Sequence, residues 1–369
     1  METLYPKLIM DALANVRYPG NGKNIVELGM VEDDIRIDGG KVSFSLIFDR
    51  PTDPFVKSLV KAAETAINTY ISPEVEVKGN VAVKFRNANP APAKENPLPG
   101  VKNIIGVSSG KGGVGKSTVA SNLAVALARQ GYKVGLLDAD IFGPSVPKMF
   151  GVEDAPIYME NVDGRDMIVP VEKYGVKLLS IGFLVDRNSP VLWRGAMASR
   201  ALNQLITEAN WGELDYFLID MPPGTSDIHL TLVQTLGVTG VVIVSTPQEV
   251  ALADARKGVA MFTDEKVNVP VLGIVENMAW FTPAAHPDER YYLFGKDGAV
   301  RLAQELGVKV LAQIPIVGTI CEGGDAGAPI ALQDSITGEA FGELARNVVD
   351  AIDERNSSLP PTSKVETHG

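Results

Sequence analysis

The sequence predicts an α/β protein: a mostly parallel sheet covered by helices, preceded by a small α+β unit. Three observations predict it. From Val101 onward, near-continuous apolar runs alternate with segments of helical periodicity. A glycine-rich run, Gly110-Lys111-Gly112-Gly113-Val114-Gly115-Lys116-Ser117-Thr118, joins the first of those runs to the first helical segment. Asn87 to Gly100, with four prolines, separates this part from a section of different periodicities.

Residues 1–86 read as helix, strand, strand, helix, strand. Leu8, Ile9, Ala12, Leu13 and Val16 recur at helical spacing. Val42, Phe44, Leu46 and Phe48 alternate as one face of a strand does, with Asp38-Gly39-Gly40 before them as a hairpin turn. Phe55, Leu59, Val60, Ala63, Ile67 and Tyr70 return to helical spacing. Val75, Val77, Val81, Val83 and Phe85 alternate again, with Gly79-Asn80 as a bulge or local turn. Residues 87–100, rich in proline and small residues, read as a linker.

Residues 101–353 form the larger domain. Strands are expected at Val101 to Val107, Lys133 to Leu137, Asp215 to Ile219, Val238 to Val244, Val269 to Val275 and Val308 to Ile314. Apolar residues on both faces of such strands mean that helices cover the sheet on both sides. Val119, Ala120, Leu123, Ala124 and Leu127 line the helix after the glycine run. A final helix is expected from Ser335 to Ile352, with residues 354–369 as a polar, disordered tail. A sheet of this kind binds its ligand beyond the carboxyl ends of its strands.

Bulk properties narrow the function. The 369 residues are 45% hydrophobic, which suits two folded domains. With 34 Lys and Arg against 45 Asp and Glu, the net charge of -11 opposes nucleic-acid binding by a broad basic surface. One cysteine forms no internal disulfide and fits a reducing compartment. The N-terminus lacks a secretory pattern, and no apolar stretch is long enough to span a bilayer. The expectation is a cytoplasmic protein without nucleic-acid partner or stable membrane association.

The glycine run matches G-x-x-x-x-G-K-[ST] at Gly110, Gly115, Lys116 and Ser117. Gly110, Gly112, Gly113 and Gly115 let the backbone curl so that its N–H groups, with Val114 among them, meet an anion. The helix start adds its positive dipole end. Lys116 is expected on the β- and γ-phosphates, Ser117 on Mg2+, and Thr118 on the α-phosphate. Leu136-Leu137-Asp138-Ala139-Asp140 places two carboxylates at the next strand end. Asp140 is expected to orient the attacking water, and Asp138 to hold the Mg2+ shell or the loop. Asp220, after the strand Phe217-Leu218-Ile219, is expected to accept from Mg2+-bound water or from Ser117. Met221-Pro222-Pro223-Gly224 then brings the Gly224 N–H to the γ-phosphate.

Lys111 is a second lysine inside the loop. Repulsion from Lys116 leaves two placements: exposed in its own loop, or reaching phosphate across a dimer interface as an arginine finger does. Asn277, in Ile274-Val275-Glu276-Asn277-Met278, is expected to present its amide to the purine edge, with Ile314-Pro315-Ile316-Val317 flanking the ring. No guanine-reading Asn-Lys-x-Asp segment follows, which favours ATP over GTP.

Lys111 to Thr118, Asp138-Ala139-Asp140-Ile141-Phe142-Gly143-Pro144-Ser145 and Asp220-Met221-Pro222-Pro223-Gly224-Thr225-Ser226-Asp227 resemble the Mrp/NBP35 family of iron–sulfur cluster carrier ATPases. This is a branch of the deviant Walker A P-loop NTPases shared with MinD and ParA. Residues 1–86, with Val26-Glu27-Leu28-Gly29-Met30-Val31, resemble the small MIP18-like domain that often precedes it. The resemblance implies a homodimer holding ATP and Mg2+, with Lys111 acting across the dimer, Lys116 on phosphate, Ser117 on Mg2+ and Asp140 on the water. It also implies a part in maturing iron–sulfur client apoproteins, with nucleotide state controlling transfer of a [4Fe-4S] cluster.

The chain departs from the family at one place. Members usually carry Cys-x-x-Cys after the Glu-Asn-Met strand, where two subunits share the cluster. Here that segment reads Ala279-Trp280-Phe281-Thr282-Pro283-Ala284-Ala285-His286-Pro287. The one thiol is Cys321, read as a small packing residue or a weak ligand candidate, and two copies supply two thiolates where four are usual. His286 reads as a surface loop residue. Trp280, Phe281 and Tyr291-Tyr292 are expected to form a packing or partner-docking surface instead.

Overall fold

The computed structural model describes residues 4–19, 22–48, 55–85, 96–141, 143–184, 195–283, 285–286 and 288–362. The chain divides into two compact units, Met1–Glu95 and Asn96–Gly369.

The first unit contains α1 (Pro6–Leu13), β1 (Arg36–Asp38), β2 (Lys41–Phe48), α2 (Val56–Tyr70) and β3 (Val81–Phe85). β1 and β2 pair as a hairpin through Asp38-Gly39-Gly40, and β3 joins β2 in parallel. Ile9, Leu13, Phe44, Leu46, Leu59 and Ile67 fill its core. The last strand is shorter than the alternation suggests. Val75 and Val77 are buried, and Glu76 between them bridges Lys41 of β2 in parallel, Val42 N–H donating to Glu76 O at 3.1 Å; Gly79 (φ 77°) then turns the chain, Asn80 N–H closes that turn on Val77 O, and the continuous ladder with β2 resumes at Val81.

The second unit begins earlier than its first strand. Leu98 is buried in its core, and the Leu214 N–H donates to Gly100 O at 2.9 Å. Residues 96–100 of the expected linker therefore pack with this unit, while residues 87–95 lie outside the described residues. Then follow β4 (Val101–Ser108), α3 (Lys116–Arg129), β5 (Val134–Asp138), α4 (Val146–Met149), β6 (Tyr158–Val162), β7 (Arg165–Val169), β8 (Val171–Lys173) and β9 (Val176–Ser180). The chain continues through α5 (Gly195–Thr207), β10 (Leu214–Asp220), α6 (Asp227–Thr235), β11 (Gly240–Ser245) and α7 (Glu249–Thr263). It ends with β12 (Val271–Phe281), α8 (Gly298–Leu306), β13 (Val310–Ile316), α9 (Gly318–Asp325) and α10 (Ile336–Ser358).

Eight strands form one sheet in the order β13-β12-β11-β4-β10-β5-β9-β8, parallel except for β8 on β9. Alternate residues of a strand face opposite sides. In β10, Phe217 and Ile219 enter the core beneath α5 to α8, whereas Tyr216 and Leu218 enter the core beneath α3 and α10. Each fully buried Leu or Phe contributes about 1.5–3 kcal/mol of transfer free energy, so covering both faces is what holds this sheet. Register then sets the site: Asp220 pairs with Asp138 on one side and with Val107 on the other.

α10 extends to Ser358, beyond the expected Ile352, so residues 354–358 are helical. Polar bonds hold this end where apolar spacing has run out. The Arg355 guanidinium, 8% exposed, donates to Pro360 O and Thr362 Oγ1, and the Asn356 amide donates to Asn103 Oδ1. Residues 363–369 of the expected tail lie outside the described residues.

Candidate nucleotide site

The site lies where β4, β5 and β10 end. The loop from Ser109 to Gly115 joins β4 to α3, and its geometry requires glycine at Gly110, Gly113 and Gly115. A Cβ on Gly110 would lie 2.1 Å from the Asp254 backbone carbonyl carbon, so this residue lets the loop seat on α7. Gly113 and Gly115 have φ of 82° and 85°, the left-handed region that L side chains avoid. Among the described residues, the N–H groups of Gly112 to Ser117 find no acceptor. A curled run of such donors at a helix start is an anion cradle.

Lys116 is 6% exposed, with Nζ 2.6 Å from Asp220 Oδ1, 3.6 Å from Asp140 Oδ2 and 3.2 Å from Ser117 Oγ. The expected lysine, hydroxyl and two of the three acids are therefore together. Asp220 is fully buried, and burial pushes its pKa up against the opposing pull of Lys116. Its Oδ2 is buried without a partner among the described residues. A bare carboxylate oxygen beside a serine hydroxyl fits Mg2+, which takes one or two protein oxygens and fills its shell with water and phosphate.

Asp138 is different. Its Oδ1 accepts the Asp140 N–H at 3.1 Å, and its Oδ2 accepts the Val146 N–H at 3.2 Å and Ser180 Oγ at 2.9 Å. Of the two parts expected for it, holding the loop is the one these bonds perform. Complete burial, with the Asp220 charge adding, pushes its pKa up to about 7.

Two more expected contacts take another form. Gly224 N–H donates to Ser109 O at 2.8 Å, so a contact with the γ-phosphate requires that bond to open. Asn277, 7% exposed, donates from Nδ2 to Val114 O at 2.8 Å. It braces the loop, and a Cβ on Gly115 would lie 2.2 Å from its amide nitrogen. Met278, at φ 56°, turns the chain sharply after it. Thr118 is half-buried in the first turn of α3, and Lys111 is exposed with no acid partner among the described residues. Phe142, inside one of the motifs, lies outside the described residues.

Sequence reasoning missed Ser180 and Glu276. Ser180 is 42 residues from the Asp138 it holds, and no local pattern connects them. Glu276, 1% exposed, accepts the Ala299 N–H at the start of α8 and the Gln313 amide. An acid closing an apolar strand was the available signal. Cys321 corrects an expectation: it is exposed on α9, with Sγ 3.7 Å from Asp325 Oδ2, and is not a packing residue. Among the described residues no group of three or more His, Cys, Asp or Glu is arranged to hold a metal ion. A cluster cargo held by four thiolates does not fit this donor set. No helix among the described residues is long and apolar enough to cross a membrane.

A family model described as NUBPL iron-transfer P-loop NTPase matches residues 100–349. The chain belongs to this family. A second model, described as iron-sulfur cluster assembly protein, matches residues 7–83. A Synechocystis protein named iron-sulfur cluster carrier protein is 43% identical over 347 residues, covering 93% of this chain and 97% of that protein. A Mus musculus protein named iron-sulfur cluster transfer protein NUBPL is 45% identical over 260 residues, covering 69% of this chain and 79% of that one. The solved nucleotide-binding protein of Archaeoglobus fulgidus in complex with ADP is 40% identical, with a TM-score of 0.57, covering 65% of this chain and 93% of that one. The P-loop NTPase fold, the small α+β unit before it and the resemblance to iron–sulfur carriers, all read from the sequence, agree with these findings.

Proposed function

We propose that this family member is a Mg2+-dependent ATPase, acting as a homodimer in the delivery of iron–sulfur clusters to client apoproteins. A buried lysine, ion-paired to Asp220 beneath a cradle of free N–H groups, carries this reading. The cradle and Lys116 bind the triphosphate. In the nucleotide-free state Asp220 and Asp140 neutralise Lys116; on binding, the β- and γ-phosphates take over part of that role. Ser117 Oγ and, through water, Asp220 Oδ2 would hold Mg2+, which when bound offsets charge on the phosphates. Asp140 orients water toward the γ-phosphorus; a bond to the water oxygen forms as the bond to the ADP oxygen breaks. Asp138 keeps Asp140 in place through the Asp140 N–H. Lys111, exposed on the loop, stabilises the transferred phosphoryl group from the partner subunit.

Isothermal titration of Mg·ATP, paired with phosphate release, tests this function. Lys116→Ala weakens binding about 10³-fold, whereas Lys111→Ala spares binding and slows turnover. Absence of Mg2+-dependent ATP binding by well-folded protein overturns the reading.

One observation favours a second reading of the cargo step. With Cys321 as its one thiol, this chain acts as a nucleotide-gated scaffold that assists maturation without holding the cluster itself. Anaerobic reconstitution with iron and sulfide decides between the two. Stoichiometric labile sulfide supports a carried cluster, and background levels with client still bound support the scaffold.

A further inference from the structure

One polar residue after Asp220 has no part in the reaction described above. His229 stands in the first turn of α6, is 1% exposed and packs edge-on against the Phe262 ring, centroids 6.1 Å apart. Its Nδ1 accepts the Ser226 N–H at 3.2 Å and lies 3.1 Å from Ser226 Oγ, and the Ser226 side chain accepts in return from the His229 backbone. This is a capping box with histidine where Glu or Gln is usual. Because Nδ1 accepts, the neutral ring carries its proton on Nε2. Nε2 is buried without a hydrogen-bond partner among the described residues. The side chain thus holds the Ser226 end of the loop Pro222 to Ser226.

That loop matters to the site. It begins two residues after Asp220, and its Gly224, at φ 78°, ties it to Ser109 beside the phosphate loop. The charges of Lys116 and Asp140 reach the ring. A glutamate would close the same capping box, but it would add a negative charge near Asp140, Asp220 and a bound triphosphate. A buried imidazole closes it without charge. Burial keeps the ring neutral by pushing its pKa down to about 4.

We propose that His229 is a positioning residue for the nucleotide reaction: it anchors the Pro222–Ser226 loop at Ser226 and so holds Gly224 and Asp220 in register with the phosphate loop. Its kinetic consequence rests on the ATPase reading above; its structural consequence does not. The test uses the full chain with His229→Ala, His229→Gln and His229→Glu, and two readouts: steady-state Mg·ATP hydrolysis, and hydrogen exchange of residues 221–227 without nucleotide. His229→Ala should lower kcat about 10-fold or more with KM changed less than about 3-fold, and should speed exchange in this loop alone. His229→Gln, which can complete the capping box, should restore both readouts to within about 3-fold of wild type. His229→Glu should keep the loop protected yet raise KM about 10-fold through charge.

Equal turnover and equal exchange in wild type and His229→Ala overturn the proposal. So does His229→Glu matching His229→Gln in both readouts, which reduces the residue to a helix cap. If the alanine variant does not fold, the Gln and Glu pair decides alone. A wild-type protein without turnover defeats the ATPase reading instead, and the exchange data still decide the anchor.

Discussion

The phosphate loop and the segment that follows β12 both lie at the carboxyl ends of strands in one parallel sheet, and they are built in opposite ways. Around the loop, buried polar groups fix one another: Lys116 on Asp220, Asp138 on Ser180, Asn277 on Val114. At the end of β12 and beyond it, the large aromatic side chains of Phe281, Tyr291 and Tyr292 face solvent. Phe281 is 37% exposed and Tyr291 is 45% exposed; the pair is joined by two backbone bonds of 2.8 Å, and Arg290 lies 4.2 Å from the Trp280 ring centroid. The difference teaches where geometry is under constraint. Nucleotide chemistry needs charges held in place before the ligand arrives, and a low-dielectric setting makes each misplaced charge costly. A surface of exposed aromatics has no such requirement, and it offers no thiolate to a soft metal cluster.

Substitutions break or sharpen this contrast. The largest effect belongs to Lys116→Ala, which removes a phosphate contact and leaves Asp220 buried without its cation. Affinity for Mg·ATP should fall about 10³-fold, read by calorimetry. Asp140→Asn comes next: turnover should fall about 10²-fold with binding nearly unchanged, read by phosphate release. Comparable losses at Arg290 would erase the contrast.

Gly115→Ala forces a side chain into left-handed backbone and onto the Asn277 amide. It should cost about 2 kcal/mol of stability, measured by denaturant unfolding. An acid titration supplies a further comparison through His229. Its folded-state pKa of about 4 lies below the ordinary 6.5, so native protein resists a proton that unfolded chain accepts. The contribution is fully present above pH 6.5 and is lost as pH falls through about 4, about 3 kcal/mol in all. The fall in unfolding free energy from pH 7.5 to pH 4.5, read by denaturant titration, should therefore be smaller in His229→Gln than in wild type by about 2.5 kcal/mol. The smallest effect is Arg290→Ala, which gives up a surface cation–π contact of about 0.5–1 kcal/mol and leaves ATP turnover unchanged.

Much of the site is legible in the sequence alone. The strand, glycine loop and helix act within a dozen residues, and apolar runs ending in Asp138 and Asp220 mark strand ends by themselves. What escaped was partnership. Val75 and Val77 alternate like strand residues and Glu76 between them bridges β2, yet the turn at Gly79 parts that segment from β3. Arg355 reads as solvated tail, yet it is buried and ends the last helix by gripping Pro360 and Thr362. Asn277 reads as a base-edge amide, and nothing local to it reveals that its Nδ2 also donates to Val114 O, 163 residues away.

By itself, the sequence determined the parallel α/β architecture, the anion cradle and which residue types stand near it, because periodicity and glycine conformation are local properties of a chain. Only the tertiary structure decided that Asp220 faces Lys116 with an oxygen to spare while Asp138 is consumed by Ser180, Val146 and Asp140. Two acids at two strand ends carry the same local signal. Strand order and register determine which of them meets a cation and which meets backbone N–H groups, and those are properties of the assembled sheet.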